Sequence, residues 1–218
     1  NGVTIQNLTI NASGERAINV IQNATNVTID NVTATAANYT VNVAPSAPKA
    51  VVEITGSNLT GLNVVNVASP EANVTINGGT ITCNDQTDVE SYAALALNKD
   101  AVGGKITATG VEFDIKGGSN TASNGAEGGV IIVDEQEISA NVVAIIEYAN
   151  STYYSFKTLS DAIAKAQAGE TVKLLQNVTM SEILVIDKAI TLDGNGKTLT
   201  STAGRAINVS GADGVTIK

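Results

Sequence analysis

A five-residue pattern recurs along the chain: apolar, polar, apolar, any residue, then Asn or Gly. It reads Val3-Thr4-Ile5-Gln6-Asn7, Val27-Thr28-Ile29-Asp30-Asn31, Val52-Glu53-Ile54-Thr55-Gly56, Val74-Thr75-Ile76-Asn77-Gly78, Ile106-Thr107-Ala108-Thr109-Gly110 and Ile190-Thr191-Leu192-Asp193-Gly194. Alternation with period two predicts short strands whose apolar residues share one face while Thr points the other way. The central residues 5, 29, 54, 76 and 108 lie 24, 25, 22 and 32 residues apart. Asn7, Asn31, Gly56, Gly78, Gly110 and Gly194 close the six copies. Asn and Gly best tolerate φ > 0, so this column predicts one corner turned the same way in every copy.

A second series lies between the first: Ala17-Ile18-Asn19-Val20, Tyr39-Thr40-Val41-Asn42-Val43, Val64-Val65-Asn66-Val67, Ala93-Ala94-Leu95-Ala96-Leu97, Val130-Ile131-Ile132-Val133 and Ala206-Ile207-Asn208-Val209. Two or three short strands per turn of near-constant length predict a solenoid. A β-sandwich also has many short strands, but it does not require one column order at one spacing. The expected fold is therefore all-β, a right-handed parallel β-helix. One stretch departs from the ladder. Ser160-Asp161-Ala162-Ile163-Ala164-Lys165-Ala166-Gln167-Ala168-Gly169 predicts a single short capping α-helix near 160–168, with Ser160 as N-cap and Gly169 at C′. A helix this short needs tertiary packing to hold it.

Phe156-x-x-Leu159-x-x-Ala162-Ile163, Gly169-Glu170-Thr171-Val172-Lys173-Leu174 and Ile190-Thr191-Leu192-Asp193-Gly194-Asn195-Gly196-Lys197-Thr198 resemble the N-terminal cap of right-handed parallel β-helix proteins. The resemblance is to the pectate-lyase-like superfamily, and within it to adhesin-like surface proteins. It implies that the helix plugs one end of a coil, whose terminal rung is otherwise an unpaired strand edge. It also implies an extracellular or cell-surface location. On this reading residues 1–150 are the later coils of one β-helix, and residues 151–218 are the cap and first coils of a following or permuted unit.

The two ends of the chain repeat one another. Gly214-Val215-Thr216-Ile217-Lys218 matches Gly2-Val3-Thr4-Ile5-Gln6, placing Ile217 212 residues after Ile5, and Arg205-Ala206-Ile207-Asn208-Val209 matches Arg16-Ala17-Ile18-Asn19-Val20. The expected partner is another copy of the chain, stacked head to tail through residues 1–30 and 190–218. A contact of this kind does not close and propagates as a row. A permuted monomer, with its own two ends stacked, is the alternative.

Composition sharpens this picture. The chain has 24 Val, 21 Ile, 25 Thr and 23 Asn against 7 aromatics, which suits a narrow β-branched core. There is no His, so a Ser-His-Asp triad and a His zinc site are excluded. The net charge is −9 with two Arg, which argues against a nucleic-acid partner. No apolar run approaches the ~20 residues of a membrane helix, so no membrane insertion is expected. The single cysteine, Cys83, reads as a small core residue.

The resemblance also brings polysaccharide lyases and hydrolases into view. In that superfamily, lyases use acids to hold Ca²⁺ and an Arg or Lys to take a proton. Hydrolases use clustered Asp carboxylates. Here Arg16 and Arg205 occupy the same place in one repeated motif, a structural pattern. Two acidic groups are candidates for Ca²⁺: Asp85, Asp88 and Glu90, and Asp134, Glu135 and Glu137. Neither has the spacing of an EF-hand or a nonapeptide repeat. No catalytic residue and no cofactor other than Ca²⁺ is assigned. The outward Thr column of the first series lacks a matched second column, which speaks against an ice-binding face. Eleven Asn-x-Ser/Thr sequons are present, as a chain rich in both residues produces. The expected function is a structural or adhesive segment of a large, repetitive surface protein, with host or polymer carbohydrate as a further partner and no catalysis. The alternative is a polysaccharide lyase or hydrolase acting on an acidic or plant-type polymer.

Overall fold

The computed structural model describes residues 2–84, 92–117, 119–138, 142–147 and 153–218. The chain divides into two compact units, Asn1–Asp88 with Tyr92–Ala140, and Val89–Ser91 with Asn141–Lys218. Both are built on stacked parallel strands, so the molecule is a parallel β-solenoid.

In unit 1 the first turn holds β1 (Gly2–Gln6), β2 (Thr9–Asn11) and β3 (Arg16–Val20), and the second β4 (Asn26–Asp30), β5 (Thr33–Thr35) and β6 (Tyr39–Val43). The third holds β7 (Val51–Thr55), β8 (Asn58–Gly61) and β9 (Val65–Val67), and the fourth β10 (Asn73–Asn77), β11 (Thr80–Cys83) and β12 (Ala93–Leu97). The fifth holds β13 (Lys105–Thr109), β14 (Glu112–Ile115) and β15 (Asn120–Asn124). A last strand, β16 (Val130–Val133), is followed by the short β17 (Gln136–Glu137). Residues 130–133 are a correction: expected in the second series, they stack on β13 of the first, because Ile131 and Val133 continue its two apolar columns, and the second-series place in the fifth turn belongs to β15. The strands assemble into one sheet of order β1-β4-β7-β10-β13-β16-β17 and two of five strands, β14-β11-β8-β5-β2 and β15-β12-β9-β6-β3.

Register follows from the apolar columns. Val3, Val27, Val52, Val74, Ile106 and Ile131 align, as do Ile5, Ile29, Ile54, Ile76, Ala108 and Val133. A one-residue slip would send every one of these side chains to solvent. Most are buried completely, Ile29, Val52, Ile54, Val74, Ile106 and Ala108 at 0% exposure.

The predicted corner is present at Asn7, Asn31, Gly56, Gly78 and Gly110, whose φ angles are 52°, 48°, 54°, 63° and 61°. Gly194 is a correction, since it has no positive φ. There the left-handed residues are Asn195 (47°) and Gly196 (70°). The Asp193 carboxylate accepts the Asn195 N–H at 2.8 Å, a local Asx turn that moves the corner one residue on.

Unit 2 comprises β18 (Ala144–Glu147), β19 (Tyr153–Phe156), α1 (Leu159–Lys165), β20 (Thr171–Leu174), β21 (Val178–Met180), β22 (Leu184–Ile186), β23 (Thr191–Asp193), β24 (Leu199–Ser201), β25 (Ile207–Val209) and β26 (Thr216–Ile217). Its main sheet has the order β19-β18-β20-β23-β26, and two flanking pairs are β21-β24 and β22-β25. The β18 strand runs antiparallel to both β19 and β20, whereas β20, β23 and β26 are parallel. The helix is shorter and earlier than expected, and its N-cap is Thr158 rather than Ser160. The Thr158 hydroxyl accepts the Asp161 N–H at 3.1 Å. Burial decides the phase. Leu159, Ala162 and Ile163 form the apolar stripe at helical spacing and are buried, so the helix must begin at Leu159. Its other end is held by Lys188, whose ammonium donates to the carbonyls of Ile163, Ala164 and Ala166 at 3.0, 2.6 and 2.9 Å. A cation there satisfies orphan carbonyls and opposes the helix dipole.

Ile54→Ala should destabilise unit 1 by about 2–5 kcal/mol, through lost burial and the cavity it leaves. Gly79 and Gly56 make a sharper comparison. Gly79 has φ +84° and an added Cβ would strike the Ser57 carbonyl, whereas the space around Gly56 (φ +54°) is open. Gly79→Ala should therefore cost about 2–5 kcal/mol. Gly56→Asn, which copies Asn31 one turn earlier, should cost less than about 1 kcal/mol. Urea unfolding followed by circular dichroism measures all three.

Candidate functional site

Two kinds of polar array emerge from the stacked turns: an outward-facing grid and asparagine stacks. The outer face of the five-stranded sheet β2-β5-β8-β11-β14 carries two matched columns. One is Thr9, Thr33, Asn58, Thr80 and Glu112, and the other is Asn11, Thr35, Thr60, Thr82 and Asp114. Over four turns this grid is uncharged, with side chains exposed or half-buried. Columns are separated by two residues along the strand, about 6.6–6.8 Å, and rows by about 4.8 Å. The first series alone did not disclose this face, because its own second column is mixed: Gln6, Asp30, Thr55, Asn77 and Thr109. The matched pair belongs to the strand that follows each corner.

Asparagines stack on a third sheet. The Asn42 amide donates to the Asn19 side-chain oxygen at 2.7 Å, and Asn66 donates to Asn42 at 2.7 Å. Asn42 and Asn66 are nearly fully buried, and each amide is satisfied by the side-chain oxygen one turn earlier, as a buried polar group requires. A shorter stack joins Asn31 to Asn7 at 2.8 Å on the corner column.

The acidic candidates fare differently. Asp85, Asp88 and Glu90 lie outside the described residues. Asp134, Glu135 and Glu137 are brought together only as parts of a hairpin. Asp134 and Glu135 take φ of 46° and 68°, the two-residue turn between β16 and β17, whose strands pair Val133 with Gln136. The Asp134 carboxylate is engaged by the Gly110 N–H at 2.8 Å. At earlier corners the equivalent N–H groups of Asn7, Asn31, Gly56 and Gly78 reach a backbone carbonyl one turn on, that of Asp30, Thr55, Asn77 or Thr109. Asp134 supplies by side chain what the next turn would supply by backbone. Among the described residues no group of three or more His, Cys, Asp or Glu is placed to hold a metal ion.

Arg16 sits over the Tyr39 ring at 5.4 Å and pairs with Glu15 at 3.3 Å. Burial pushes the Tyr39 phenol above its ordinary value, against the lowering effect of Arg16. Cys83 is wholly buried and its thiol contacts the Leu62 carbonyl at 2.9 Å. Burial raises its pKa, partly offset by a hydrogen bond with Ser119. In unit 2 a groove of about 410 Å³ runs beside α1, lined by apolar Ile163, Ile183 and Val185 with Asp187 and Lys188 at its rim. The Lys188 ammonium is already committed to the helix end. No family model, no curated protein and no solved structure matches the chain.

Two measurements follow from these environments. Cys83 should resist a thiol reagent in the native state and react only as unit 1 unfolds, because the thiolate is disfavoured and shielded. Asp193 provides a pH test. The Asn195 N–H holds its carboxyl below the usual carboxylate range, slight burial opposes this, and Lys218 and Lys173 add to the lowering. A depressed folded-state pKa stabilises above the unfolded value, about 4, and that contribution is lost as pH falls through the folded value. Melting temperature of unit 2 should thus fall less steeply below about pH 4 in Asp193→Asn than in the parent chain.

Proposed function

We propose that the chain is a structural and adhesive β-solenoid segment of a larger, repetitive cell-surface protein, and that it performs no catalysis. The observation that carries this reading is the uncharged Thr and Asn grid on β2, β5, β8 and β11. Rigid rungs hold short hydroxyl and amide groups at fixed intervals, so many weak hydrogen bonds form at once without ordering flexible side chains. The matching ligand is repetitive, uncharged and rich in hydroxyls, which is the chemistry of a neutral polysaccharide surface. The sequence resemblance to adhesin-like β-helices supports the same conclusion.

The test uses insoluble cellulose and soluble polygalacturonate with Ca²⁺. The chain should co-sediment with cellulose, and the double variant Thr35→Lys/Thr80→Lys, whose two positions lie in different columns and are not register neighbours, should bind at least tenfold more weakly with unchanged melting. Neither polymer should yield unsaturated uronide absorbance or new reducing ends. Release of such products would instead establish a lyase or hydrolase.

A further inference from the structure

We propose that Asn195-Gly196 is a self-modification site: in the folded chain Asn195 is converted by water alone to aspartate and isoaspartate, which loosens the corner between β23 and β24. The inference goes beyond the adhesive reading and stands whether or not that reading does.

The corner itself calls for this dipeptide. Asn195 and Gly196 take φ of 47° and 70°, and a two-residue turn with both angles positive favours Asn-Gly. The same dipeptide is chemically labile. Asn is a thermolabile residue, and a following residue without a Cβ leaves its backbone nitrogen open to the Asn side chain. The steps balance with water as the only reactant. The Gly196 nitrogen gives up its proton to solvent and bonds to the Asn195 side-chain carbon. The amide C–N bond breaks and its nitrogen leaves as ammonia, forming a succinimide ring. Water then opens the ring at either carbonyl. One opening gives aspartate; the other reroutes the main chain through the side chain as isoaspartate.

Asn77-Gly78 and Asn124-Gly125 also lie among the described residues and serve as internal controls. In both, the attacking group is occupied. The Gly78 N–H donates to the Thr109 carbonyl at 2.9 Å, and the Gly125 N–H to the Leu97 carbonyl at 2.8 Å. Asn77 is also the last residue of β10, paired with Thr55 on one side and Thr109 on the other. The Asn124 side chain is bound twice. Its amide donates to the Gly129 carbonyl at 2.8 Å, and its oxygen accepts the Ala126 N–H at 3.0 Å. Gly196 differs. Among the described residues no group accepts its N–H, and both members of the pair are exposed. Nothing lies within 4 Å of where a Cβ of Gly196 would stand. A single hydrogen bond restrains the Asn195 side chain, whose amide donates to the Leu174 carbonyl at 3.0 Å.

That one bond gives the reaction its consequence. It ties the corner to β20, one turn earlier, much as the Asn31 amide ties its own corner to Asn7. Either product replaces the donor by a carboxylate, so acceptor then faces acceptor. Isoaspartate also lengthens the main chain by one carbon between β23, held on β20, and β24, held on β21. The age of the molecule is thereby written into unit 2 and not into unit 1.

Peptide mapping by mass spectrometry follows the three sites while the full chain is held in mildly alkaline buffer, folded or in concentrated urea. Each site's folded rate is divided by its own rate in urea, which removes the effect of local sequence. That ratio should be at least tenfold higher for Asn195 than for Asn77 or Asn124. Equal ratios, or protection of Asn195 along with the other two, overturn the site. Melting supplies the second readout. The aged chain should lose thermal stability in unit 2 in step with conversion, and freshly made Asn195→Asp should melt below the parent. Asn195→Gln keeps an amide but closes the larger imide ring far more slowly, so it should age without that loss. If aged parent and aged Asn195→Gln melt alike, the loosening is overturned. Neither readout involves a polysaccharide, so failure here leaves the adhesive reading untouched.

Discussion

Every feature of this molecule depends on one requirement: successive turns must hydrogen-bond to each other through parallel strands in a single register. The backbone groups of a strand point along the solenoid axis and find partners only in the turns before and after. A turn that changed its length within the paired strands would break all three of its contacts at once. The corner column is the local device that meets this requirement. A left-handed residue after each strand of the first series redirects the chain at the same point, and its N–H still reaches the following turn. The interval between corner strands varies from 22 to 32 residues while the paired strands keep their register.

Stacking also governs where charge can sit. Rows about 4.8 Å apart place identical positions of successive turns in contact, so like charges in one column would repel. In the large sheet Glu53 stands between Thr28 and Thr75, Asp30 between Gln6 and Thr55, and Lys105 between Asn73 and Val130. Each charge is isolated by neutral neighbours. Asparagine is the polar residue that benefits from stacking on itself, since its amide is donor and acceptor together. That explains why Asn occupies successive turns at 19, 42 and 66, nearly fully buried at the last two.

Much of this was legible from residue order. Column periodicity located the strands of the first series, and five of six corner residues stand where Asn and Gly predicted them. In the second series it misplaced one member: Val130–Val133 is as apolar as a second-series strand but stacks in the first, and the polar β15 takes its place. What escaped the sequence was decided by competition between local options. Ser160 and Thr158 can both cap a helix, and burial of Leu159 selected the second. Gly194 can turn a corner, but the Asp193 carboxylate captured the Asn195 N–H and moved the turn along. The role of Asp134 was hidden for the same reason. An acid in a cluster suggests a cation, and only the geometry shows it holding the Gly110 N–H. The hydroxyl grid went unseen because its strands, only three or four residues each, lie outside both repeated patterns.

The hairpin at Asp134 has a consequence for how such a molecule changes over evolutionary time. Each turn meets only its two neighbours, so whole turns can be gained or lost without repacking the others. What must be preserved is a stop. Here, among the described residues, the large sheet ends at an acid that supplies what a next turn's carbonyl would, and at a two-residue antiparallel strand. Both are encoded within five residues, 133–137. A terminator that compact can be transplanted to an earlier or later turn by a few substitutions. Reach, the distance the solenoid spans, then scales with the number of turns, and each turn gained or lost carries its own interface with it.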